Sequence, residues 1–135
     1  MTGGSLDANV LLRLLLNDVP DQHRAALTLV TNGDDYEVSD VALIEVAFVL
    51  GRAYGLDRAQ QREAIIGLLD LPGIQGSREL FGTAFDLYLD RPKLSLEDCY
   101  LVVRAQLDRR EPLWTFDRKL ANQSRARLVE IATTR

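Results

Sequence analysis

The chain has 135 residues, 47% of them apolar and 27% charged, with a formal net charge of −4 at pH 7. These values are ordinary for one globular domain that is long enough to bury a full core. No apolar run is long enough to cross a membrane, and the first residues lack the basic region and apolar core of a signal peptide. The single cysteine excludes an internal disulfide and a cysteine-rich metal site, so we expect a cytoplasmic protein.

Charge is distributed unevenly along the chain. Residues 1–90 contain 6 Lys/Arg and 14 Asp/Glu, hence −8, whereas residues 91–135 contain 10 and 6, hence +4. This asymmetry has two interpretations. The charges either lie on solvated helix faces, or they form an acidic metal pocket beside a basic surface that receives phosphates.

Apolar periodicity and turn residues predict an alternation of strands and helices. Strands are expected near residues 3–7, 36–38, 74–75, 112–116 and 127–131. Helices are expected over residues 10–16, 20–31, 39–54, 58–69, 77–89, 95–107 and 117–121. Strands that are separated by helices are typical of parallel sheets. We therefore expect an α/β fold over residues 1–135, a single domain with a mostly parallel central sheet of four or five short strands and helices on both faces.

Two acidic residues follow predicted strands. Asp7 precedes the apolar run at 10–16 and has Asn9 two residues further on. Asp117 follows the strand at 112–116, and Thr115 points the same way if the segment is extended. Ligands bind outside the carboxyl ends of strands in open α/β sheets. Taken alone, however, Asp7 is better explained as a turn or helix-cap residue, and Asp117 could simply cap the next helix.

Two further acids lie in predicted helices. Glu45 has no charged neighbour three or four residues away in a nearly all-apolar helix, so we expect a buried carboxylate that projects into a polar pocket and binds a cation. The alternative is a salt bridge to Arg52 or Arg104. Asp98 follows Ser95 by three residues, which resembles a capping box. Adjacent Glu97 adds a second negative charge that capping does not require.

Four carboxylates at one edge of a sheet would repel one another unless a divalent cation neutralised them. Ligation by oxygen alone favours Mg²⁺ or Mn²⁺ over Zn²⁺. A haloacid-dehalogenase-like phosphatase would need a second aspartate two residues after Asp7, where Asn9 stands. A non-catalytic binding module is the other alternative, and retention of all four acids argues against it.

Four segments in this order resemble the PIN domain, a family of metal-dependent nucleases, and the chain's length and layout resemble its VapC-type toxins. The segments are residues 6–11, 41–50, 96–101 and 113–120. The resemblance implies an acidic quartet of Asp7, Glu45, Asp98 and Asp117 that holds Mg²⁺ or Mn²⁺ and hydrolyses RNA, with Thr115 and Asn9 in supporting positions. One departure is Thr2-Gly3-Gly4-Ser5, where the family has several apolar residues before the first aspartate.

The same resemblance implies three partners: an RNA substrate, a cognate antitoxin protein and a second copy of the chain. The apolar helices at 41–54 and 77–89 could leave a groove for the antitoxin or for dimerisation, and core packing would explain them equally well. Candidates for phosphate contacts are Arg91, Lys93, Arg104, Arg118 and Lys119, each of which could instead be a solvated helix end. Trp114 and Cys99 are expected in the core.

Overall fold

The computed structural model describes residues 2–132. The chain forms two compact units, Met1–Arg78 and Glu79–Arg135. The expectation of one domain over residues 1–135 therefore stays a prediction. Over the described residues, no helix is long and apolar enough to span a bilayer.

The first unit is built on a three-stranded parallel sheet in the order β1-β2-β3. The strands are β1 (Thr2–Leu6), β2 (Asp35–Val38) and β3 (Ile74–Gln75). Each crossover contains two helices: α1 (Ala8–Leu15) and α2 (Pro20–Val30), then α3 (Asp40–Tyr54) and α4 (Arg58–Leu69). Parallel strands require such long connections, which is why the helices separate the strands along the chain.

Apolar residues at helical spacing form the core of this unit. Leu43 and Leu50 of α3 and Ile65 of α4 are fully buried, as is Leu11 of α1. α1 packs against both α2 and α3, and α3 packs against α4. The helices of the two crossovers therefore form one packed layer. A second helical layer on the other face of the sheet stays a prediction.

The glycines of β1 have a structural reason. A Cβ atom on Gly3 would lie 2.4 Å from Cε1 of Tyr36, so only glycine lets the chain pass this buried ring. Gly4 has φ +109 and lies where the pairing with β2 shifts register. Tyr36 thus fills the space beside a strand that has few apolar side chains of its own. This packing accounts for glycine in the segment where the sequence departs from the pattern that it otherwise resembles.

The second unit contains α5 (Arg78–Asp90), α6 (Leu96–Leu107), β4 (Trp114–Thr115), α7 (Arg118–Gln123) and β5 (Arg127–Leu128). β4 and β5 pair in parallel as a separate two-stranded sheet, and α7 packs on both strands. The core of the unit consists of fully buried side chains, among them Phe81, Phe85, Leu94, Cys99 and Val103.

The α/β class and the parallel pairing are confirmed. The central sheet of the described residues has three strands, fewer than the four or five expected. The last two predicted strands pair over two residues each, Trp114 with Arg127 and Thr115 with Leu128. Pairing stops there because the chain turns at Asp117 to begin α7.

Candidate functional site

Asp7 lies at the carboxyl end of β1 and is the N-cap of α1. Its backbone is extended, with φ −85 and ψ 174, and Oδ1 accepts a hydrogen bond of 3.0 Å from the N–H of Val10. The preceding Leu6 is buried, whereas Asp7 is exposed. The cap fixes one carboxylate oxygen and leaves Oδ2 without a hydrogen-bond partner among the described residues.

Ser39 is the neighbour of Asp7 at the same sheet edge, because Leu6 pairs with Val38 in the parallel register. Its Oγ accepts a hydrogen bond of 3.1 Å from Ala42 N–H and caps α3. The hydroxyl proton remains able to donate. Ser39 is not among the site residues expected from the sequence, because only the strand register places it beside Asp7.

Glu45 is exposed, which contradicts the expectation of a buried carboxylate. α3 is not buried all round: Val41 is 75% exposed and Phe48 is 58% exposed, and both share the solvent face with Glu45. Glu45 forms no hydrogen bond or ion pair with the described residues of the first unit, so the alternative of a salt bridge to Arg52 is wrong there. A salt bridge to Arg104, which belongs to the second unit, stays a prediction. The carboxylate is available to a ligand from solvent without any burial cost.

Asp98 forms the capping box that its spacing predicts. Ser95 Oγ accepts a hydrogen bond of 3.1 Å from Asp98 N–H, and Asp98 Oδ2 accepts one of 3.3 Å from Ser95 N–H. Asp98 is half-buried and Glu97 is exposed. The reciprocal bonds orient the Asp98 carboxylate on the first turn of α6 and leave Oδ1 without a partner in the described chain.

Asp117 repeats at β4 the arrangement of Asp7 at β1. It follows the strand, is exposed, and caps α7 by accepting a hydrogen bond of 3.1 Å from Leu120 N–H at Oδ1. Thr115 Oγ1 accepts a hydrogen bond of 2.9 Å from Asp117 N–H. Thr115 therefore supports the turn on which Asp117 stands, and its role in an active site stays a prediction.

The model of one family matches almost the whole chain: the PIN domain model covers residues 5–126. The chain belongs to the PIN domain family. The PIN domain is generally a nuclease fold, its members are typically metal-dependent, and they bind RNA. Comparison with curated proteins gives no match.

Each unit of this PIN domain supplies two of the four predicted acids. Asp7 and Glu45 belong to the first unit, on two helices that pack together, and Asp98 and Asp117 belong to the second. In neither unit, over residues 2–132, do three or more Asp, Glu, His or Cys side chains lie together as metal ligands. The meeting of all four acids stays a prediction.

The chemistry of these donors fits a hard divalent cation. Three of the acids are aspartates with one oxygen held by a backbone N–H. Their other oxygens, and the carboxylate of Glu45, have no partner within the described part of the chain. Carboxylate oxygens held in this way are the ligands that Mg²⁺ and Mn²⁺ prefer.

The basic candidates fall into two groups. Arg91 pairs with Asp90 and donates to the carbonyl of Gln123, and Arg104 pairs with Asp108 at 2.8 Å. The hydrogen bond that Arg104 donates to Asp108 raises the pKa of Arg104, with Tyr100 adding to the effect. The other group is exposed and has no ion pair in the described part of the chain: Lys93, Arg118 and Lys119.

Of the two residues expected in the core, the prediction is wrong for Trp114 and confirmed for Cys99. Trp114 is 58% exposed, whereas Cys99 is fully buried as a free thiol. Trp114 lies on a two-residue strand, which leaves too little sheet to cover an indole ring.

Proposed function

We propose that this PIN domain is a Mg²⁺- or Mn²⁺-dependent ribonuclease that hydrolyses RNA phosphodiester bonds to leave a 5′-phosphate and a 3′-hydroxyl. The observation that carries the proposal is the shared design of Asp7 and Asp117. Each follows a parallel strand and caps the next helix with one carboxylate oxygen, while the other oxygen has no hydrogen-bond partner among residues 2–132. A helix cap needs only one of those oxygens, so the second is available for a cation.

Asp7, Asp98 and Asp117 are the proposed metal ligands. Their backbone hydrogen bonds hold each carboxylate in one orientation, which lowers the entropic cost of assembling a site. A bound divalent cation lowers the pKa of a coordinated water and stabilises negative charge on the phosphoryl oxygens. Glu45, which is exposed and has no ion pair among the described residues, is suited to accept a proton from a water or to orient it.

Positive charge in the second unit supports a polyanionic substrate. Lys93, Arg118 and Lys119 are exposed cations without ion pairs over residues 2–132, and two of them directly follow Asp117. Cations beside a carboxylate site attract the phosphate backbone that the carboxylates alone would repel.

We also propose that the protein is the toxin of a VapC-type toxin–antitoxin pair, acts in the cytoplasm and forms a homodimer. The exposed apolar face of α3, with Val41 and Phe48, supports a protein-binding role for this helix. A cognate antitoxin would cover that face and restrain the nuclease. Co-purification of the chain with the product of a neighbouring small reading frame tests this role.

The decisive experiment compares Asp7→Asn and Asp98→Asn with the native protein on RNA in Mg²⁺. Asparagine retains a capping oxygen but lacks the charge, so both variants should fold and lose activity by about two orders of magnitude or more. Unchanged cleavage by both variants would exclude the mechanism. Calorimetry with Mn²⁺ addresses the alternative of a non-catalytic RNA- or protein-binding module on this fold, because such a module would bind no metal.

A further inference from the structure

The only tryptophan of the chain stands on the surface. Trp114 is 58% exposed on β4, and Phe116, which directly precedes Asp117, is 68% exposed. Exposing two aromatic side chains in three residues forgoes the burial free energy that large apolar groups usually gain on folding. A contact surface for a ligand explains this exposure.

Arg127 is the cross-strand partner of Trp114. The two residues pair in the parallel register of β4 and β5, so their side chains are lateral neighbours on one face of the two-stranded sheet. Arg127 is exposed and makes no ion pair within residues 2–132, in contrast to nearby Arg125, which pairs with Glu111 at 2.9 Å. An exposed guanidinium without an ion pair among residues 2–132 therefore lies beside an exposed indole.

A recess of about 560 Å³ opens at this pair. It is lined by Trp114, Arg127, Leu128, Val129 and Glu130, all within the second unit. Its volume lies in the range of small-ligand sites. The lining combines an aromatic ring, a cation and a carboxylate that can accept hydrogen bonds from base amino groups.

We propose that Trp114 and Arg127 form a binding site for single-stranded RNA, in which a base stacks on the indole and the guanidinium contacts the adjacent phosphate. The proposal rests on the proposed ribonuclease function and gives its substrate a place on the surface. Every base has a π-face that can stack on an aromatic ring, so such a site binds single strands with little sequence preference. A base-paired strand keeps its bases stacked inside the duplex and cannot use it.

Charge favours RNA over a second protein copy as the occupant. Residues 114–130 contain four Lys/Arg and two Asp/Glu, and the chain as a whole is acidic at −4. A segment of net positive charge in an otherwise acidic chain complements a polyphosphate chain. Single-stranded nucleic acid presents alternating phosphates and bases, and Arg127 can bind the phosphate while Trp114 stacks on the base.

The test uses the intrinsic fluorescence of the full chain, because its sole tryptophan reports directly on this site. The protein is titrated with unstructured oligo(U) and oligo(A) in EDTA, which prevents metal-dependent cleavage, and binding is followed in parallel by anisotropy of end-labelled RNA. Stacking should quench the Trp114 emission along the same curve as the anisotropy. RNA that binds without changing this emission would overturn the proposal.

Variants separate the two halves of the site. Trp114→Ala should weaken binding about tenfold or more, whereas Trp114→Phe should bind nearly as the native chain does. Arg127→Gln should reduce the slope of log affinity against log salt by about 0.7, the value for one phosphate contact on a single strand.

The controls are Leu29→Ala, which removes an exposed apolar side chain of the first unit, and Arg110→Gln, which removes an exposed cation outside the site. Neither control should change affinity or salt dependence.

Two results would contradict this site. One is equal affinity of the native chain and Trp114→Ala. The other is self-association that buries the tryptophan, seen as emission that varies with protein concentration in the absence of RNA and as a dimer lost in Trp114→Ala. Both leave Mg²⁺-dependent cleavage by the native chain intact, whereas failure of the ribonuclease proposal is seen as absence of that cleavage.

Discussion

Thr115 and Asp117 are joined by a hydrogen bond of 2.9 Å, in which the threonine hydroxyl accepts from the aspartate N–H. The bond holds the backbone where β4 ends and α7 begins. We predict that Thr115→Val, which keeps the shape but loses the acceptor, lowers kcat by about five- to tenfold, corresponding to the roughly 1 kcal/mol of one hydrogen bond.

The matched control for that variant is Thr115→Ser, which retains the hydroxyl. It should restore most of kcat with KM for RNA unchanged, since the hydroxyl positions Asp117 and does not bind substrate. A loss in Thr115→Ser as large as that in Thr115→Val would contradict the prediction, because the hydroxyl that accepts from Asp117 N–H would then not be what sustains kcat. Steady-state kinetics with a fluorogenic RNA makes the comparison.

Asp7 has two separable roles, helix cap and proposed metal ligand. Asparagine caps as well as aspartate, so Asp7→Asn should leave the free energy of unfolding nearly unchanged. Asp7→Ala removes the bond to Val10 N–H and should lower that free energy by about 1 kcal/mol. Urea unfolding measures this difference. Both variants should be inactive, and activity in Asp7→Ala would show that the carboxylate serves only the helix.

Glu45 should matter for activity and not for stability. Its carboxylate is exposed and forms no hydrogen bond or ion pair with the described residues, so Glu45→Gln should change the free energy of unfolding by no more than about 0.5 kcal/mol. We expect loss of RNA cleavage together with an unchanged melting temperature. A clearly lowered melting temperature would point to a structural partner for this residue.

Asp18, Arg13 and Tyr54 form a pH-sensitive network in the first unit. Tyr54 donates a hydrogen bond of 2.6 Å to Asp18 Oδ2, and Arg13 donates one of 2.6 Å to Oδ1. The Tyr54 bond, with Arg13 assisting, lowers the pKa of Asp18 from 3.8, and the same bond raises the pKa of Tyr54 from 10.0. The contribution of Asp18 to the free energy of unfolding is thus fully present above pH 3.8. It is lost as the pH falls through the lower pKa that Asp18 has in the folded state. The stability from Tyr54 is fully present below pH 10.0 and lost as the pH rises through its higher folded value.

Tyr54→Phe tests this network. The variant should have a lower free energy of unfolding than the native chain at neutral pH. This difference in free energy should become smaller at both acidic and alkaline extremes. Carboxyl-carbon NMR should show the pKa of Asp18 returning toward 3.8. A difference that stays constant with pH would indicate lost packing of the ring instead of a lost hydrogen bond.

Helix boundaries and caps were predictable from the sequence because they depend on neighbours within one turn. Ser95 and Asp98 form the expected capping box, and Asp7 and Asp117 occupy the expected ends of strands. The parallel pairing followed from strands separated by helices. All of these signals are local, and the physical forces behind them act over a few residues of chain.

Exposure and register were decided only by tertiary structure. A nearly all-apolar stretch such as α3 does not indicate which of its faces meets solvent. The packing of α1 and α4 against it leaves Glu45 exposed. Strand pairing between distant segments places Ser39 beside Asp7. In the same way it places Arg127 beside Trp114. Burial and pairing arise from residues far apart in sequence, so no local pattern encodes them.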